Sequence, residues 1–360
     1  MCYIRIVKTK TDNPSGGISM QNVTLGRTGI TVPQNAFGAL PVQRVSRETA
    51  VCLLREAYEG GMRLFDTARA YSDSEEKVGI AFEGMRDRVY ITSKTQAKNP
   101  EAFWKDLETS LKMLRTDYID VYQLHCAPRC FAPGDESGLY ECMLEAKKQG
   151  KIRHIGITAH LIQVALEAAD SGLYETVQFP FSYLAAEQEV ELVRRCAKNG
   201  VGFIAMKGLA GGLITRSDAA MAFIQTMPDV LPIWGIQRES ELREWLSYFE
   251  KTPQMTDEIR AYIEKDREAL AGEFCRGCGY CMPCPSEILI NNCARMSLML
   301  RRAPSKDWLN DFWQEQMKKI ENCIECRRCV SRCPYSLDTP NLLKKNYEDY
   351  KKVLAGEVTV

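Results

Sequence analysis

The segment RLFDTARAYSDSEEKVG, residues Arg63–Gly79, shows the pattern that decides the fold. It begins with a short apolar run that ends at Asp66, and it continues through a polar loop that contains Tyr71 into a longer segment. A short apolar run followed by a helical pattern is typical of a βα unit, whose strand is buried in a parallel sheet. The segment therefore predicts one strand, one loop and one helix in that order.

The same alternation extends from about Phe37 to Phe249. Eight apolar runs, each followed by a segment of helical period, predict strands at Phe37–Leu40, Arg63–Thr67, Val89–Ser93, Asp120–His125, His154–Thr158, Thr176–Phe181, Gly202–Lys207 and Val230–Ile236. Repeated βα units build a parallel sheet, and eight of them fit a closed (β/α)8 TIM barrel better than an open sheet. The predicted fold class is therefore α/β.

Local signals support the helical halves of these units. In SRETAVCLLREAYEGG, Ser46 is suited to cap a helix that stops before Gly60 and Gly61. The predicted buried stripe of this helix comprises Ala50, Leu53, Leu54 and Ala57. Ahead of the first unit, NVTLGRTGITV predicts a hairpin that turns at Arg27–Gly29 and covers the floor of the barrel.

The pattern changes after Phe249, where TDEIRAYIEKDREALAG predicts a charged amphipathic helix that leads into a cysteine-rich region. We place the boundary near Lys251–Thr256. The predicted organisation is an N-terminal extension over residues 1–21, a barrel over residues 22–252 and a C-terminal module over residues 253–360.

Composition narrows the class of protein. Of the 360 residues, 45% are hydrophobic and 26% are charged, as in globular soluble proteins. The 47 basic and 47 acidic residues balance, which removes any electrostatic case for nucleic acid or an anionic membrane as a partner. MCYIRIVKTK has no apolar core or cleavage site of a secretory leader, and no stretch approaches a membrane span of roughly 18 apolar residues. We expect a cytoplasmic protein.

Eight of the 15 cysteines fall in two regular runs near the C-terminus. The runs read Cys275-x2-Cys278-x2-Cys281-x2-Cys284-Pro285 and Cys323-x2-Cys326-x2-Cys329-x3-Cys333-Pro334. The second run has the spacing of bacterial ferredoxins, in which the fourth cysteine ligates the other cluster. The first run is one residue shorter before its last cysteine. Gly277 and Gly279 suit a turn around a cluster, because glycine tolerates positive φ.

By analogy with ferredoxins, these runs predict two 4Fe-4S clusters as metal cofactors. One would bind Cys275, Cys278, Cys281 and Cys333, and the other Cys323, Cys326, Cys329 and Cys284. Zinc is the alternative, because paired C-x2-C motifs also make four-cysteine zinc sites. The sequence between the runs is helical in composition and is interrupted only at Pro304, so it favours an all-helical ferredoxin-like iron-sulfur module.

The other seven cysteines have no such spacing, and we expect them to be small buried residues. They are Cys2, Cys52, Cys126, Cys130, Cys142, Cys196 and Cys293.

Catalytic groups of a (β/α)8 barrel lie at the carboxyl ends of the strands and in the loops that follow. Asp66 ends the second predicted strand and Tyr71 lies in its loop, Lys94 ends the third strand in VYITSKT, and His125 ends the fourth in DVYQLHCAP. These four residues, in this order on these strands, resemble the aldo-keto reductase family across the whole barrel.

The resemblance implies a role for each of the four. Tyr71 would be the general acid that protonates a carbonyl oxygen during hydride transfer, and Lys94 would ease its ionisation. Asp66 would hold Lys94, and His125 would donate a hydrogen bond to the substrate oxygen. Taken singly, the residues also fit plainer roles: Asp66 as a helix N-cap, Lys94 as a solvated charge at the rim, and His125 as a core residue.

The resemblance also implies contacts to a nicotinamide cofactor. Gln178 in TVQFPF matches the family's carboxamide-binding glutamine, Thr158 stands in the place of its serine, and Ala159 replaces the usual asparagine. Met206 stands where many members have an aromatic residue, with Lys207 beside it. Arg238 is the remaining local candidate for a 2'-phosphate, so the sequence does not choose between NAD and NADP.

Three functions remain open on the sequence alone. The first is an oxygen-sensitive oxidoreductase that acts on a small-molecule carbonyl or alcohol, with clusters that exchange electrons with ferredoxin or flavodoxin. The second is an ordinary NAD(P)H-dependent reductase with structural clusters. The third is a non-enzymatic redox sensor or electron carrier, which would have no need of an activated tyrosine.

Overall fold

The computed structural model describes residues 20–270, 274–302, 305–333 and 335–359, which form two compact units. The first unit comprises the described residues up to 181 together with residues 185–207 and 221–255. The second comprises residues 182–184 and 208–220 and the described residues from 256 onward. Two loops that follow barrel strands are therefore part of the C-terminal unit.

The first unit is a closed barrel of eight parallel strands in the order β10-β3-β4-β5-β6-β7-β8-β9. These strands are β3 Ala36–Gly38, β4 Leu64–Asp66, β5 Tyr90–Thr95, β6 Ile119–Leu124, β7 Ile152–Thr158, β8 Thr176–Pro180, β9 Gly202–Met206 and β10 Val230–Gly235. Each coincides with one of the eight predicted runs, so the (β/α)8 prediction is confirmed. Burial on both faces explains why the strands appear in the sequence as continuous apolar runs.

Helices follow the strands around the barrel. They are α1 Arg47–Glu59, α2 Ser74–Phe82, α3 Pro100–Leu114, α4 Leu139–Lys148, α5 Ile162–Asp170, α6 Glu187–Lys198, α7 Ser217–Gln225 and α8 Glu239–Glu250. Helix α1 confirms its local signals: the Thr49 backbone N–H donates to the Ser46 side chain, and the buried stripe is the predicted one. The helix ends at Glu59, directly before Gly60.

The predicted hairpin precedes the barrel as the antiparallel pair β1 Asn22–Thr24 and β2 Thr31–Pro33. Its buried side chains belong to the same apolar cluster as side chains of the barrel strands, including Ala36, Leu64 and Ile204. The hairpin therefore closes one end of the barrel core, as the sequence predicts.

The described residues of the second unit form helices and loops and no strand. Its helices are α9 Asp257–Ala269, α10 Ile290–Cys293, α11 Met296–Arg302, α12 Asp311–Lys318, α13 Arg328–Ser331 and α14 Thr339–Leu354. Helix α9 begins after the N-cap Thr256, whose side chain accepts from the Ile259 N–H. The prediction of an all-helical module is confirmed. None of the described helices is long and apolar enough to cross a membrane.

Some sequence-based expectations concern residues outside the described ranges. These are most of the N-terminal extension with Cys2, the interruption at Pro304, and Pro334 after the second cysteine run.

Close packing of α2 on α3 gives a test of the fold. A Cβ at Gly79 would lie 2.2 Å from the Met113 carbonyl oxygen, so we expect Gly79→Ala to destabilise the barrel by about 1–3 kcal/mol. Urea unfolding followed by circular dichroism measures the loss. Lys112→Ala, an exposed change on α3, is the control and should stay within about 0.5 kcal/mol of wild type. Equal stability of the two variants would contradict this packing.

Candidate functional site

A buried ion pair joins the ends of two neighbouring strands. Lys94 Nζ on β5 donates to Asp66 Oδ2 on β4 at 2.6 Å and to the Thr67 carbonyl oxygen at 2.7 Å. The other oxygen of Asp66 accepts from Thr92 Oγ1 at 2.5 Å. Asp66 and Lys94 are both almost fully buried, so Lys94 is not a solvated charge at the rim.

The charge on Lys94 is set by its surroundings. Burial acts to lower the pKa of Lys94, but the Asp66 carboxylate and Tyr71 outweigh it and leave this pKa above its ordinary value. The ammonium form is therefore held in a place from which water is excluded, where its field acts strongly on neighbouring groups.

Tyr71 lies beside this ammonium group. Lys94 Nζ is 5.1 Å from the centre of the Tyr71 ring, and the His125 ring meets Tyr71 edge-on with 5.6 Å between ring centres. Burial raises the pKa of Tyr71, and the charge of Lys94 opposes that rise. Tyr71 therefore keeps its proton at neutral pH. If it donated that proton, the Lys94 ammonium group would lie close enough to stabilise the phenolate.

The loop that carries Tyr71 is held by contacts that the sequence analysis missed. Arg69 forms an ion pair with the buried carboxylate of Glu75, which also accepts from Ser93 Oγ at 2.5 Å. The Arg69 backbone N–H donates to the Lys94 carbonyl oxygen at 3.0 Å. These contacts tie the loop after β4 to strand β5 and thus fix Tyr71 relative to Lys94.

His125 follows β6 and stays neutral. Burial and the nearby Lys94 lower the pKa of His125 to about 3. Its Nδ1 is buried and makes no hydrogen bond within the described residues. A neutral imidazole can donate one hydrogen bond to an oxygen that gains negative charge.

The predicted cofactor contacts Thr158 and Gln178 lie on neighbouring strands and pair in register, with Thr158 at the end of β7 and Gln178 within β8. Thr158 Oγ1 accepts from the Cys126 backbone N–H at 2.8 Å. The Oε1 of Gln178 is buried and accepts no hydrogen bond from the described residues. An unsatisfied buried amide oxygen is costly, so it fits an amide donor such as a nicotinamide carboxamide.

The remaining predicted contacts differ in their setting. Met206 ends β9, and Lys207 follows it with a left-handed φ of 58°. Arg238 is the residue before α8, and its side chain is 68% exposed and ion-paired with Glu241 at 3.4 Å. The structure therefore records an exposed salt bridge for Arg238.

His160 is a further residue that the sequence analysis missed. Its Nδ1 lies 4.0 Å from Cys126 Sγ, and burial with the nearby Lys207 and His125 lowers its pKa to about 3. Its place two residues after the end of β7 is the signal that could have revealed it.

The cysteines outside the two runs differ in burial. Cys142, Cys196 and Cys293 are buried as expected, whereas Cys52, Cys126 and Cys130 are partly exposed.

The two cysteine runs line two cavities in the C-terminal unit. The first cysteine cavity is lined by Cys275, Cys278, Cys281 and Cys333, and the second cysteine cavity by Cys284, Cys323, Cys326 and Cys329, with Cys281 between the two. The Gly277 backbone N–H donates to Cys275 Sγ at 3.3 Å. Gly277 and Gly279 have φ values of 65° and 85°, which is the freedom for which glycine is needed here.

The arrangement of the thiols bears on the kind of metal. In the described ranges, no group of three His, Cys, Asp or Glu side chains is placed to hold a single metal ion. A zinc site would draw four sulfurs to about 2.3 Å from one point. At least four cysteines line each cavity, which is the number of ligands that a 4Fe-4S cluster takes.

The family model "Aldo/keto reductase family" matches residues 34–230, which is more than half of the chain. The chain belongs to this family. A second model, "4Fe-4S dicluster domain", matches residues 274–338 and identifies the C-terminal unit as a dicluster domain.

Relatives cover the barrel part of the chain. Aldo-keto reductase YhdN of Bacillus subtilis is 31% identical over 54% of this chain and 64% of its own length, just under two thirds of that protein. Methylglyoxal reductase DkgB of Salmonella typhi is 34% identical over 57% of this chain and 76% of its own.

Solved structures show the same fold. The holo form of an aldo-keto reductase from Bacillus halodurans is 23% identical, with a TM-score of 0.61 over 71% of this chain and 98% of its own. An aldo-keto reductase from Klebsiella pneumoniae in complex with NADPH is 24% identical, with a TM-score of 0.57 over 69% of this chain and 95% of its own.

The setting of His125 predicts an imidazole that does not titrate near neutrality. With a pKa lowered to about 3 by burial and by Lys94, His125 should remain neutral from pH 8 down to pH 5. The measurement is NMR of isotope-labelled histidine, which is practical because the chain has three histidines. His125→Asn assigns the signal, and an inflection between pH 5 and 8 would contradict the burial.

Proposed function

We propose that this chain is an oxidoreductase that reduces a small carbonyl compound, or oxidises the corresponding alcohol, at the carboxyl ends of the barrel strands. We further propose that its two clusters exchange electrons with a small carrier protein such as ferredoxin or flavodoxin. The observation that carries the first part is the buried Lys94 ammonium, which Asp66 holds beside a protonated Tyr71.

This geometry supports Tyr71 as the general acid. As a carbonyl oxygen gains negative charge, the Tyr71 hydroxyl donates its proton to that oxygen and becomes a phenolate. Lys94 stabilises the phenolate, and Asp66 fixes the position of Lys94 through a direct hydrogen bond. Neutral His125 donates a hydrogen bond to the same oxygen and orients the substrate. In alcohol oxidation, the same residues move the proton in the opposite direction.

The hydride must come from a cofactor, since none of these side chains can supply one. A nicotinamide, when bound, supplies or accepts the hydride. Gln178, with its unsatisfied Oε1, and Thr158 would hold the carboxamide, while Met206 and Lys207 would line the nicotinamide site. Relatives of both cofactor types occur, one named "NADH-specific methylglyoxal reductase" and another solved with NADPH, so the proposal covers both dinucleotides.

Small reactive carbonyl compounds are the substrate class we propose. Four relatives carry the name methylglyoxal reductase, and another is named L-galactose dehydrogenase. Methylglyoxal is therefore a suitable first substrate for testing.

The two cysteine cavities support the second part of the proposal. Cys275, Cys278, Cys281 and Cys333 would ligate one 4Fe-4S cluster, and Cys284, Cys323, Cys326 and Cys329 the other. A cluster, when bound, passes one electron at a time. Cys326 is exposed, which favours exchange with an external carrier.

A structural role for the clusters is the second candidate. Several of the proposed ligands pack into the same apolar cluster as Ile288, Leu343 and Tyr350, so they contribute to the core of this small unit. Metal binding to such a unit stabilises its fold directly.

Replacement of Tyr71 tests the barrel chemistry. Tyr71→Phe keeps the ring and removes the proton, so methylglyoxal reduction with NADH or NADPH should fall by about 10²–10⁴. Iron content and circular dichroism should remain unchanged. Tyr90→Phe, a partly buried tyrosine on β5, is the matched control and should keep full activity. An undiminished kcat in Tyr71→Phe would reject Tyr71 as the acid.

Replacement of Cys329 tests the clusters. Anaerobically purified wild type should carry about eight iron and eight sulfide per chain, the sum for two ferredoxin-type cubanes. Cys329→Ser should lower the content of intact clusters, whereas Cys293→Ala, a buried cysteine outside both runs, should not. If clusters carry electrons, methylglyoxal reduction by reduced ferredoxin, in which two ferredoxin molecules are oxidised for each carbonyl reduced, is lost and barrel stability is retained.

The structural candidate predicts the opposite result for Cys329→Ser. The C-terminal unit would then become susceptible to proteolysis, while NAD(P)H-driven reduction would continue. A cluster-deficient variant that exchanges electrons with ferredoxin at the wild-type rate would reject the electron-transfer proposal, and zinc without sulfide would reject both candidates.

A further inference from the structure

Arg295 places a largely buried positive charge in the C-terminal unit. It lies between α10 and α11, and its Nε and Nη1 are buried without a hydrogen-bond partner in the described part of the chain. No carboxylate among the described residues forms an ion pair with it. A buried cation without a counter-charge is costly, because transfer from water to the protein interior removes its hydration.

The guanidinium is held between two glycine-containing loops. A Cβ built at Gly277, in the first cysteine run, would lie 3.0 Å from Arg295 Nη1, and one built at Gly211 would lie 2.6 Å from it. Both glycines have left-handed φ values, 65° and 68°. The absence of side chains at these positions lets the guanidinium lie directly against the loop that carries Cys275.

Electrostatics links this guanidinium to the first cysteine cavity. Burial lowers the pKa of Arg295, and the Cys275 thiolate partly offsets that effect. Gly277, against which the guanidinium lies, donates its backbone N–H to Cys275 Sγ at 3.3 Å. The negative charge that would satisfy Arg295 is therefore that of the cysteine ligands themselves.

The second cysteine cavity has a different charge environment. Its charged lining residues in the described part of the chain are Glu325, Arg327 and Arg328, and all three are exposed. Water screens exposed charges, so these side chains act weakly on the cavity. Arg276 lines the first cavity, and Arg295, whose Nε and Nη1 are buried, lies against Gly277 beside it. The charged residues that line the second cavity are exposed in the described part of the chain.

We propose that Arg295 is the buried counter-charge of the first cysteine cavity and that it raises the midpoint potential of the cluster bound there. Reduction adds one electron, and hence one negative charge, to a cluster. A nearby cation with little water around it stabilises that reduced state, since net charge and solvent exposure set cluster potentials. Arg295 is a tuning residue that acts through charge and contributes no iron ligand. This inference rests on the proposed cluster ligands.

The test is a reductive titration of anaerobically purified holoprotein, followed by electron paramagnetic resonance. Arg295→Gln should lower one of the two midpoint potentials. The expected decrease in the reduction equilibrium constant of that cluster is at least tenfold, which corresponds to about 59 mV for one electron. The other midpoint should stay at its wild-type value. Arg295→Lys retains the positive charge, so its midpoint potential should stay close to the wild-type value.

Arg328→Met is the matched control, because it removes an exposed arginine that lines the second cavity. It should shift either midpoint by much less than Arg295→Gln does. Equal midpoints in Arg295→Lys and Arg295→Gln, or equal shifts of both clusters in Arg295→Gln, would overturn the role of Arg295. If one Arg295 variant loses a cluster, the role of Arg295 is judged from the other variant, whose midpoint potential is compared with that of wild type.

Iron and sulfide analysis distinguishes failure of the proposed cluster ligands from failure of the proposed role of Arg295. A wild type without iron-sulfur clusters would reject the proposed ligands themselves. A full complement of clusters with unchanged midpoints in Arg295→Gln would reject only the inference about Arg295.

Discussion

Parallel closure of the barrel is the constraint on which the rest of the first unit depends. Because all eight strands run in the same direction, their carboxyl ends meet at one rim, and the polar residues that end them come together there. Asp66, Lys94, His125 and Gln178 are distant in the chain, yet each lies within two residues of the carboxyl end of a strand. Strand register then joins Asp66 and Lys94 in a buried ion pair.

The two units differ in how a buried positive charge is compensated. Lys94 has a carboxylate, a carbonyl and a tyrosine around it, so its charge is compensated and its position is fixed. Arg295 has no carboxylate partner among the described residues, and it lies against Gly277 in the loop that carries Cys275. Removing one partner from a buried charge pair is strongly unfavourable. This difference makes Lys94 a constant part of its site, whereas the environment of Arg295 depends on what the cysteines bind.

The chain also combines two units whose stability has different origins. The barrel buries a large apolar core and closes one end with the β1–β2 hairpin. The C-terminal unit is small, and cysteines make up part of the residues that pack on its core. A small helical unit gains stability from bound metal, while a barrel of this size does not require it. Structural and electron-transfer roles for the clusters are therefore compatible with the same packing.

The sequence by itself determined the features that depend on local pattern. Each barrel strand is buried on both faces and so appears as an apolar run, and the cysteine spacing is short enough to define the turns around the two cavities. Asp66, Tyr71, Lys94 and His125 could be predicted as site residues because each occupies a recognisable place relative to a strand. Only the tertiary structure decided that Arg69 and Glu75 hold the Tyr71 loop, that His160 lies by Cys126, and that Arg295 lies against Gly277. These contacts join segments whose separation in the chain carries no periodic signal, and their energetics depend on burial, which arises only when the chain is packed.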